Sequence, residues 1–489
     1  MKKLVLSILT LMVILIGVVL VKTFTLPSRQ PVGAPVPGIK LDPNLIANHL
    51  AGALRIPTVS HQDSAANDYS QPKRLHRYLT KTYPWMNTNL KKQAINRYSL
   101  LYTWEGSDTN SAPVLLMAHL DVVPVDSDAL DQWQGDPFAG RIADDYVWGR
   151  GALDDKGSVI SIFEAVEGLL TTGYQPRRGL LLALGHDEEV GGREGAQHVA
   201  DYLRTCGIQP AFILDEGGAI VIDVIPGISQ PVALVAIGEK GSVSVELTTP
   251  GTGGHSSMPP ERTAIGVLSA AVQHLEANPL PAVITTPVHE MLLTLAPEMN
   301  FPQRMVMANL WLFSGLVKNL MATNPSSNAL LRTTTAVTMF NGGVKENVLP
   351  AVARAVVNFR LRPGERIADI VQHVKSIIDD PRVSVKISKA GLNREASSIS
   401  NTTSPFYQTV ATTIHQVFPD VLVAPGLSVG GTDTKHYTDL TDNIYRFIPF
   451  RLNKTDLKRI HGANERVSKE GLAEAVIFYT QLIKNATKE

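Results

Sequence analysis

Hydrophobic positions follow three regimes along the chain. The first is an apolar run from Leu4 to Val21, flanked by Lys2, Lys3 and Lys22. About 20 apolar residues suffice to cross a bilayer. The run exceeds the usual apolar region of a cleaved leader, and no small-x-small site follows it. Residues 1–22 therefore read as an uncleaved signal anchor, with a signal peptide as the alternative, and either exports the body. The helix would hold the chain to a membrane with the remainder outside the cytoplasm. Pro27, Pro31, Pro35 and Pro37 make residues 23–42 a semi-extended spacer.

The second regime begins near Pro43. Short apolar strands alternate with amphipathic helices: strands at 113–118, 179–184 and 211–214, helices at 159–170 and 194–203. This order predicts an α/β fold, a mainly parallel sheet with helices on both faces. The third regime starts after Gly238. The segment 242–247 alternates, a helix spans 263–276, and strands at 334–339 and 353–361 precede a helix at 367–378 and a strand at 383–387. That order is βαββαβ, the ferredoxin-like arrangement of a small α+β domain. An apolar, Met-containing insert near 280–330 interrupts it and reads as helices lining a groove or an interface, with ordinary core packing the plainer account. The first pattern returns with a helix at 405–418, strands at 421–424 and 445–448, and a closing helix at 469–484. The predicted division is an α/β unit at 43–237 and 391–489, with residues 238–390 inserted into it as a second domain.

Composition narrows the chemistry. Lys+Arg and Asp+Glu both number 45, so no basic stripe points to a nucleic-acid partner. The single cysteine, Cys206, excludes an internal disulfide and a thiolate metal cage. Any metal must be held by histidine and carboxylates.

Five polar segments sit where predicted strands end, the edge at which open parallel sheets place their sites. They are His119-Leu120-Asp121, the glycine-bounded Asp154-Asp155, His186-Asp187-Glu188-Glu189, Asp215-Glu216-Gly217-Gly218, and Gly430-Gly431-Thr432-Asp433-Thr434-Lys435-His436. Each alone has a plain structural reading, such as a helix cap at Asp154 or a solvated loop at Glu188-Glu189. Together they form a hard N/O donor set suited to zinc, with cobalt or manganese chemically admissible. Two ions need one bridging carboxylate and about two further ligands each.

The ordered run HLDVVP, WGRGALDDKG, HDEEVGG, LDEGG, GGHSS and GGTDTKHY resembles the co-catalytic zinc exopeptidases. These include glutamate carboxypeptidase, aminoacylase and the desuccinylases. Within them the chain is most similar to the carboxypeptidase S branch, which also contains the N-fatty-acyl-amino-acid hydrolases. The resemblance covers about Pro43 to Lys484 and implies two Zn2+ per chain. It makes His119, Asp154, Glu189, Asp215 and His436 the metal ligands, with Asp154 bridging and Glu216 the alternative to Asp215. It makes Glu188 the general base, Asp121 the residue that orients His119, and His255 the group that reaches the scissile carbonyl, in relatives often across a dimer. Asn347, Arg360, Gly430 and Gly431 would hold the substrate, and a cis peptide would join Asp154 to Asp155. The implied function is hydrolysis of an amide beside a C-terminal amino acid, as a carboxypeptidase of short peptides. The alternative is an N-acyl-amino-acid amidohydrolase, including fatty-acyl substrates. A non-catalytic, membrane-anchored binding protein is disfavoured because no expected ligand or base is missing. The resemblance also makes residues 43–237 and 391–489 the catalytic zinc domain and residues 238–390 a lid or dimerisation domain, and it admits a homodimer.

Overall fold

Uniformly apolar strands such as Leu180–Gly185 and Val114–His119 must be covered on both faces, and in the computed structural model, which describes residues 1–488, they lie at the centre of a large sheet. Val114–His119 pairs in parallel with Leu180–Gly185 on one side and Phe212–Asp215 on the other. Ile444–Arg446 continues the parallel run beyond Phe212–Asp215. The register sets His119 beside Gly185 and Arg446 beside Asp215. The C-terminal ends of these strands therefore share one edge. On one face pack the helices Pro43–Leu54, Lys156–Thr171, Pro405–Val417 and Lys469–Thr487, whose apolar residues merge with Leu116, Leu182 and Leu214. The helix Ala196–Thr205 covers the other face, against Leu115, Leu181 and Ile213. The fold class is the α/β architecture expected, although the sheet is more mixed at its flanks. Lys91–Ile95 and Ser99–Trp104 add an antiparallel pair at one end, and Ile220–Val221 pairs antiparallel with Val232–Glu239 near the other.

The second sheet has the order Thr334–Gly342, Val352–Leu361, Gly241–Pro250, Ser384–Ile387, entirely antiparallel. Helices Ala264–Ala277 and Ile367–Ile378 complete the βαββαβ order. Alternate residues of Val352–Leu361 point inward, as a half-buried strand requires, and Val243, Val245, Phe359, Leu268 and Val374 form a separate core.

The insert forms four helices, Thr286–Leu295, Phe301–Ala308, Leu310–Ala322 and Pro325–Leu331. Its core is shared with Val232, Leu422 and Ala424 of the large sheet, and none of these helices contributes to the core of the second sheet among the described residues. The N-terminal helix runs from Lys2 to Thr25 and contains an 18-residue stretch of mean hydropathy 3.2. The proline-rich stretch after it is extended but pinned: Gln30 exchanges two hydrogen bonds with the backbone of Val423, at 3.2 and 2.7 Å, and Val36 N donates to Gln416 O.

Candidate metal centre

His119 ends its strand with the ring almost wholly buried. Its Nε2 lies 2.8 Å from Asp154 Oδ1 and 3.7 Å from Glu216 Oε1. The other oxygen of Asp154, Oδ2, lies 3.0 Å from His461 Nε2, which is also 3.1 Å from Glu189 Oε2. Two three-residue groups result, His119–Asp154–Glu216 and Asp154–Glu189–His461. They share Asp154, which turns a different oxygen to each histidine.

The donors fit a pair of cations. Glu189 Oε1 is buried without a hydrogen-bond partner. Burial, followed by the charge of Asp154, raises the Glu216 carboxyl well above its ordinary range. Burial and the charge of Asp433 do the same to Glu188. The carboxylates of Asp154 and Glu189 push the His461 ring up to about 10. Acids crowded in this way repel one another until positive charge joins them. The set is imidazole and carboxylate only, a hard N/O inventory.

Local structure explains how the groups converge. Asp121 lies behind His119, its Oδ1 3.3 Å from Nδ1. The same carboxylate accepts the N–H groups of Glu188 and Glu189 at 3.1 and 3.2 Å, so one side chain orients an imidazole and fixes the acidic loop. A second buried carboxylate, Glu465, accepts from Gly151 N, Leu153 N and Asp154 N at 3.0, 2.8 and 3.1 Å. It also pairs with Arg150 at 2.7 Å, whose Nη2 donates to His461 O at 3.0 Å. This knot ties the Asp154 loop to the His461 loop. The Asp154-Asp155 peptide is cis.

Two of the expected ligands lie outside both groups. His436 belongs to neither group. Its Nε2 meets Gly191 O at 3.0 Å, and burial pushes its ring down to about 4. His461 is the imidazole of the second group. Asp215 is also outside both groups. It remains within its strand, where its backbone carbonyl accepts from Phe447 N, and one of its carboxylate oxygens is buried without a partner. Strand side chains alternate in direction, so the next residue, Glu216, turns to the opposite side and reaches His119.

The expected substrate residues divide. His255 is exposed on a two-stranded ribbon, Gly254–His255 with Val348–Leu349, and its ring bonds to Ser257 rather than to the acidic cluster. Asn347 is exposed beside it, its carbonyl accepting from Ser256 N. Arg360 lies on Val352–Leu361 opposite Ser242 and Thr334. Gly430 is exposed, and an added Cβ would meet only Ser428 Oγ, at 4.0 Å. Gly431 is constrained, because an added Cβ would fall 1.6 Å from Arg394 Nη2. That nitrogen is buried and unpartnered, while Nη1 of the same residue binds Glu239 at 2.8 Å. Sequence reasoning passed over Arg394, His461 and Glu465. The available signal was the spacing His461-Gly462-Ala463-Asn464-Glu465, an imidazole and a carboxylate just before a closing helix.

The sequence model of Peptidase family M20/M25/M40 matches residues 115–485. An N-fatty-acyl-amino acid synthase/hydrolase of Xenopus tropicalis is 42% identical over 97% of this chain and 93% of its own length. A probable carboxypeptidase S-like protein of Dictyostelium discoideum is 44% identical over 91% of this chain and 85% of its own. Among solved structures, an M20 family metallo-carboxypeptidase of Sulfolobus solfataricus superposes with a TM-score of 0.64 at 17% identity, covering 90% of this chain and 98% of that one.

Proposed function

We propose, from the premise that this chain belongs to peptidase family M20/M25/M40, that it holds two zinc ions and hydrolyses an amide whose nitrogen belongs to an amino acid with a free carboxylate. The observation that carries the reading is Asp154, whose two oxygens turn to two different histidines. His119, Glu216 and Asp154 would hold one ion, and His461, Glu189 and Asp154 the other. Bound zinc supplies Lewis acidity toward the amide carbonyl and renders a water molecule acidic enough to lose a proton near neutral pH. Glu188, adjacent to Glu189 and held by Asp121, accepts that proton as the water oxygen bonds to the carbonyl carbon. It delivers the proton to the amide nitrogen as the C–N bond breaks. The products are a carboxylic acid and an amino acid.

The free carboxylate of the substrate pairs with Arg394, aided by Arg360, beside the glycines Gly430 and Gly431. Support comes from the unpartnered Arg394 Nη2 against Gly431. His255 and Asn347 serve the scissile carbonyl from a second copy of the chain, consistent with their exposed ribbon. The Lys2–Thr25 helix anchors the body outside the cytoplasm, supported by its length and its exposed apolar surface. A second reading, in which the acyl group is a fatty chain rather than a peptide, is favoured by the 42% identity to the fatty-acyl hydrolase.

The test is a substrate panel on the zinc-loaded full chain: dipeptides, N-oleoyl amino acids and their carboxamide-blocked counterparts. Free-carboxylate substrates should be cleaved and blocked ones spared. Glu188→Gln should lower kcat about 10²–10⁴-fold with metal content unchanged. Equal cleavage of blocked substrates would overturn the carboxylate reading, and a fully active Glu188→Gln enzyme would overturn the role of the base.

A further inference from the structure

The anchor helix does not leave the protein as a free tether. Near its C-terminal end Val19 and Thr23 are buried against the insert, where Asn309 Nδ2 donates to Val19 O and Thr23 Oγ1, both at 3.2 Å. Phe24 packs on Phe301 with ring centroids 5.4 Å apart, and Arg304 Nη2 donates to Leu26 O at 2.8 Å. Lys22 Nζ sits 5.3 Å from the centre of the Trp311 ring.

These contacts fix a depth. The apolar run ends at Val21, and a helix rises about 1.5 Å per residue. Val19 therefore lies within about 3 Å of the end of that run. Asn309, which grips Val19, must lie at the same level, and Leu310–Ala322 starts directly from Asn309.

That helix carries an apolar stripe exposed on its outer side. Leu312, Leu316 and Leu320 follow one another at four-residue spacing and are 41%, 49% and 60% exposed. Trp311 extends the stripe, as does Phe301 on the preceding helix. Leu310 and Val317 face inward to the insert core. The preceding helix meets this one at 112°, so the two do not form a straight rod. The 13 residues of Leu310–Ala322 extend only about 20 Å, too short to cross a bilayer core of about 30 Å. An amphipathic helix of this kind lies in the interfacial plane. Trp311 beneath Lys22 is the aromatic and basic pairing found at the level of lipid headgroups.

We propose that the stripe Trp311, Leu312, Leu316 and Leu320 docks into the outer leaflet of the lipid bilayer beside the anchor helix, so that the insert is a second, monotopic membrane contact. The inference rests on the anchor reading of the Lys2–Thr25 helix. It gives the insert a lipid surface as its partner and fixes the orientation of the catalytic body relative to the membrane.

The experiment uses the full chain in vesicles of phosphatidylcholine and phosphatidylglycerol. With Cys206→Ser as background, single cysteines replace Leu9, Leu316 or Asn110 and carry a nitroxide. Retained hydrolytic activity certifies that each labelled protein is folded. Oxygen concentrates in lipid, and a nickel chelate stays in water. The label at 9 should favour oxygen, the label at 110 should favour nickel, and the label at 316 should follow 9. Nickel preference at 316 with oxygen preference at 9 overturns the proposal and leaves the anchor standing. Nickel preference at both positions overturns the anchor reading as well. Shielding of 316 from both reagents, with dipolar broadening between labels, shows that a second copy covers the stripe, and the proposal fails.

Discussion

His461 and His436 put the same imidazole to different uses. His461 lies within hydrogen-bond distance of two carboxylates, whereas His436 meets a backbone carbonyl. On the proposed two-ion reading, His461→Ala should therefore lose about one metal ion and nearly all turnover. His436→Ala should keep both ions. Elemental analysis of the two purified variants decides the matter, and loss of metal from His436→Ala would restore the sequence-based assignment. At this scale much of the site was legible. His119, Asp154 and Glu189 are brought together, and all were marked by strand ends and paired acids. Asp215 and Glu216 were harder, because the choice turns on the phase of a two-residue alternation that shifts with the last residue of the strand. His461 was hidden for a different reason. It lies in a loop with a positive φ of 59°, where no periodicity indicates which way a side chain points.

Elements were read well in their middles and less well at their ends and edges. The helix Ile367–Ile378 begins and ends where the pattern predicts. The strand predicted at 421–424 runs on to Ser428 despite Pro425. Proline is tolerated there because the strand pairs, among the described residues, only with Val232–Glu239 and lies at an edge. Lys91–Ile95 escaped notice because its residues are half-buried or exposed and carry no apolar alternation. Val232–Glu239 was also passed over, yet it runs almost directly into Gly241–Pro250 and so joins the two sheets. Glu239 at its end is wholly buried, paired with Arg446 and Arg394 and accepting from Thr432 and Thr434. Burial alone would raise its carboxyl, but Arg446 and then Arg394 outweigh burial and hold it at about 2. An unfolded glutamate titrates near 4.3. The folded state thus binds this proton less readily than the unfolded state does. The stabilisation is fully present above about pH 4.3 and is lost as pH falls through about 2. Glu239→Gln should lower stability at pH 7 by about 3–5 kcal/mol, because Arg446 is left buried with its charge uncompensated. The difference from the parent should shrink as the pH of urea unfolding is lowered from 4.3 to 2. A difference independent of pH across that window would show that the carboxylate charge is not what holds the junction.

For the whole molecule, motif order was enough to place both sheets, but not to say which sheet the insert joins. An apolar helix announces that a face is buried without naming what buries it, and here the burying surface is Leu422 and Ala424 of the large sheet. The same limit applies to the candidate metal centre, whose residues run from His119 to His461 and meet only when the whole α/β unit has folded. This makes metal binding a folding energy for that unit. A ligand that binds only the native state stabilises it by about 2.7 kcal/mol when present at 100 times its dissociation constant. The second sheet contributes no residue to either group and keeps its own core, so the gain should not be shared equally. Hydrogen exchange on chelated protein titrated with zinc should show protection rising in Val114–His119, Leu180–Gly185 and Phe212–Asp215. Gly241–Pro250 and Val352–Leu361 should change little. Asp154→Asn should abolish most of the effect, since that carboxylate serves both groups, whereas Glu189→Gln should retain part of it through His119 and Glu216. Equal protection of both sheets would mean that the ions clamp the two units together rather than stabilise one. A response in Asp154→Asn as large as in the parent would remove the bridging carboxylate from the account.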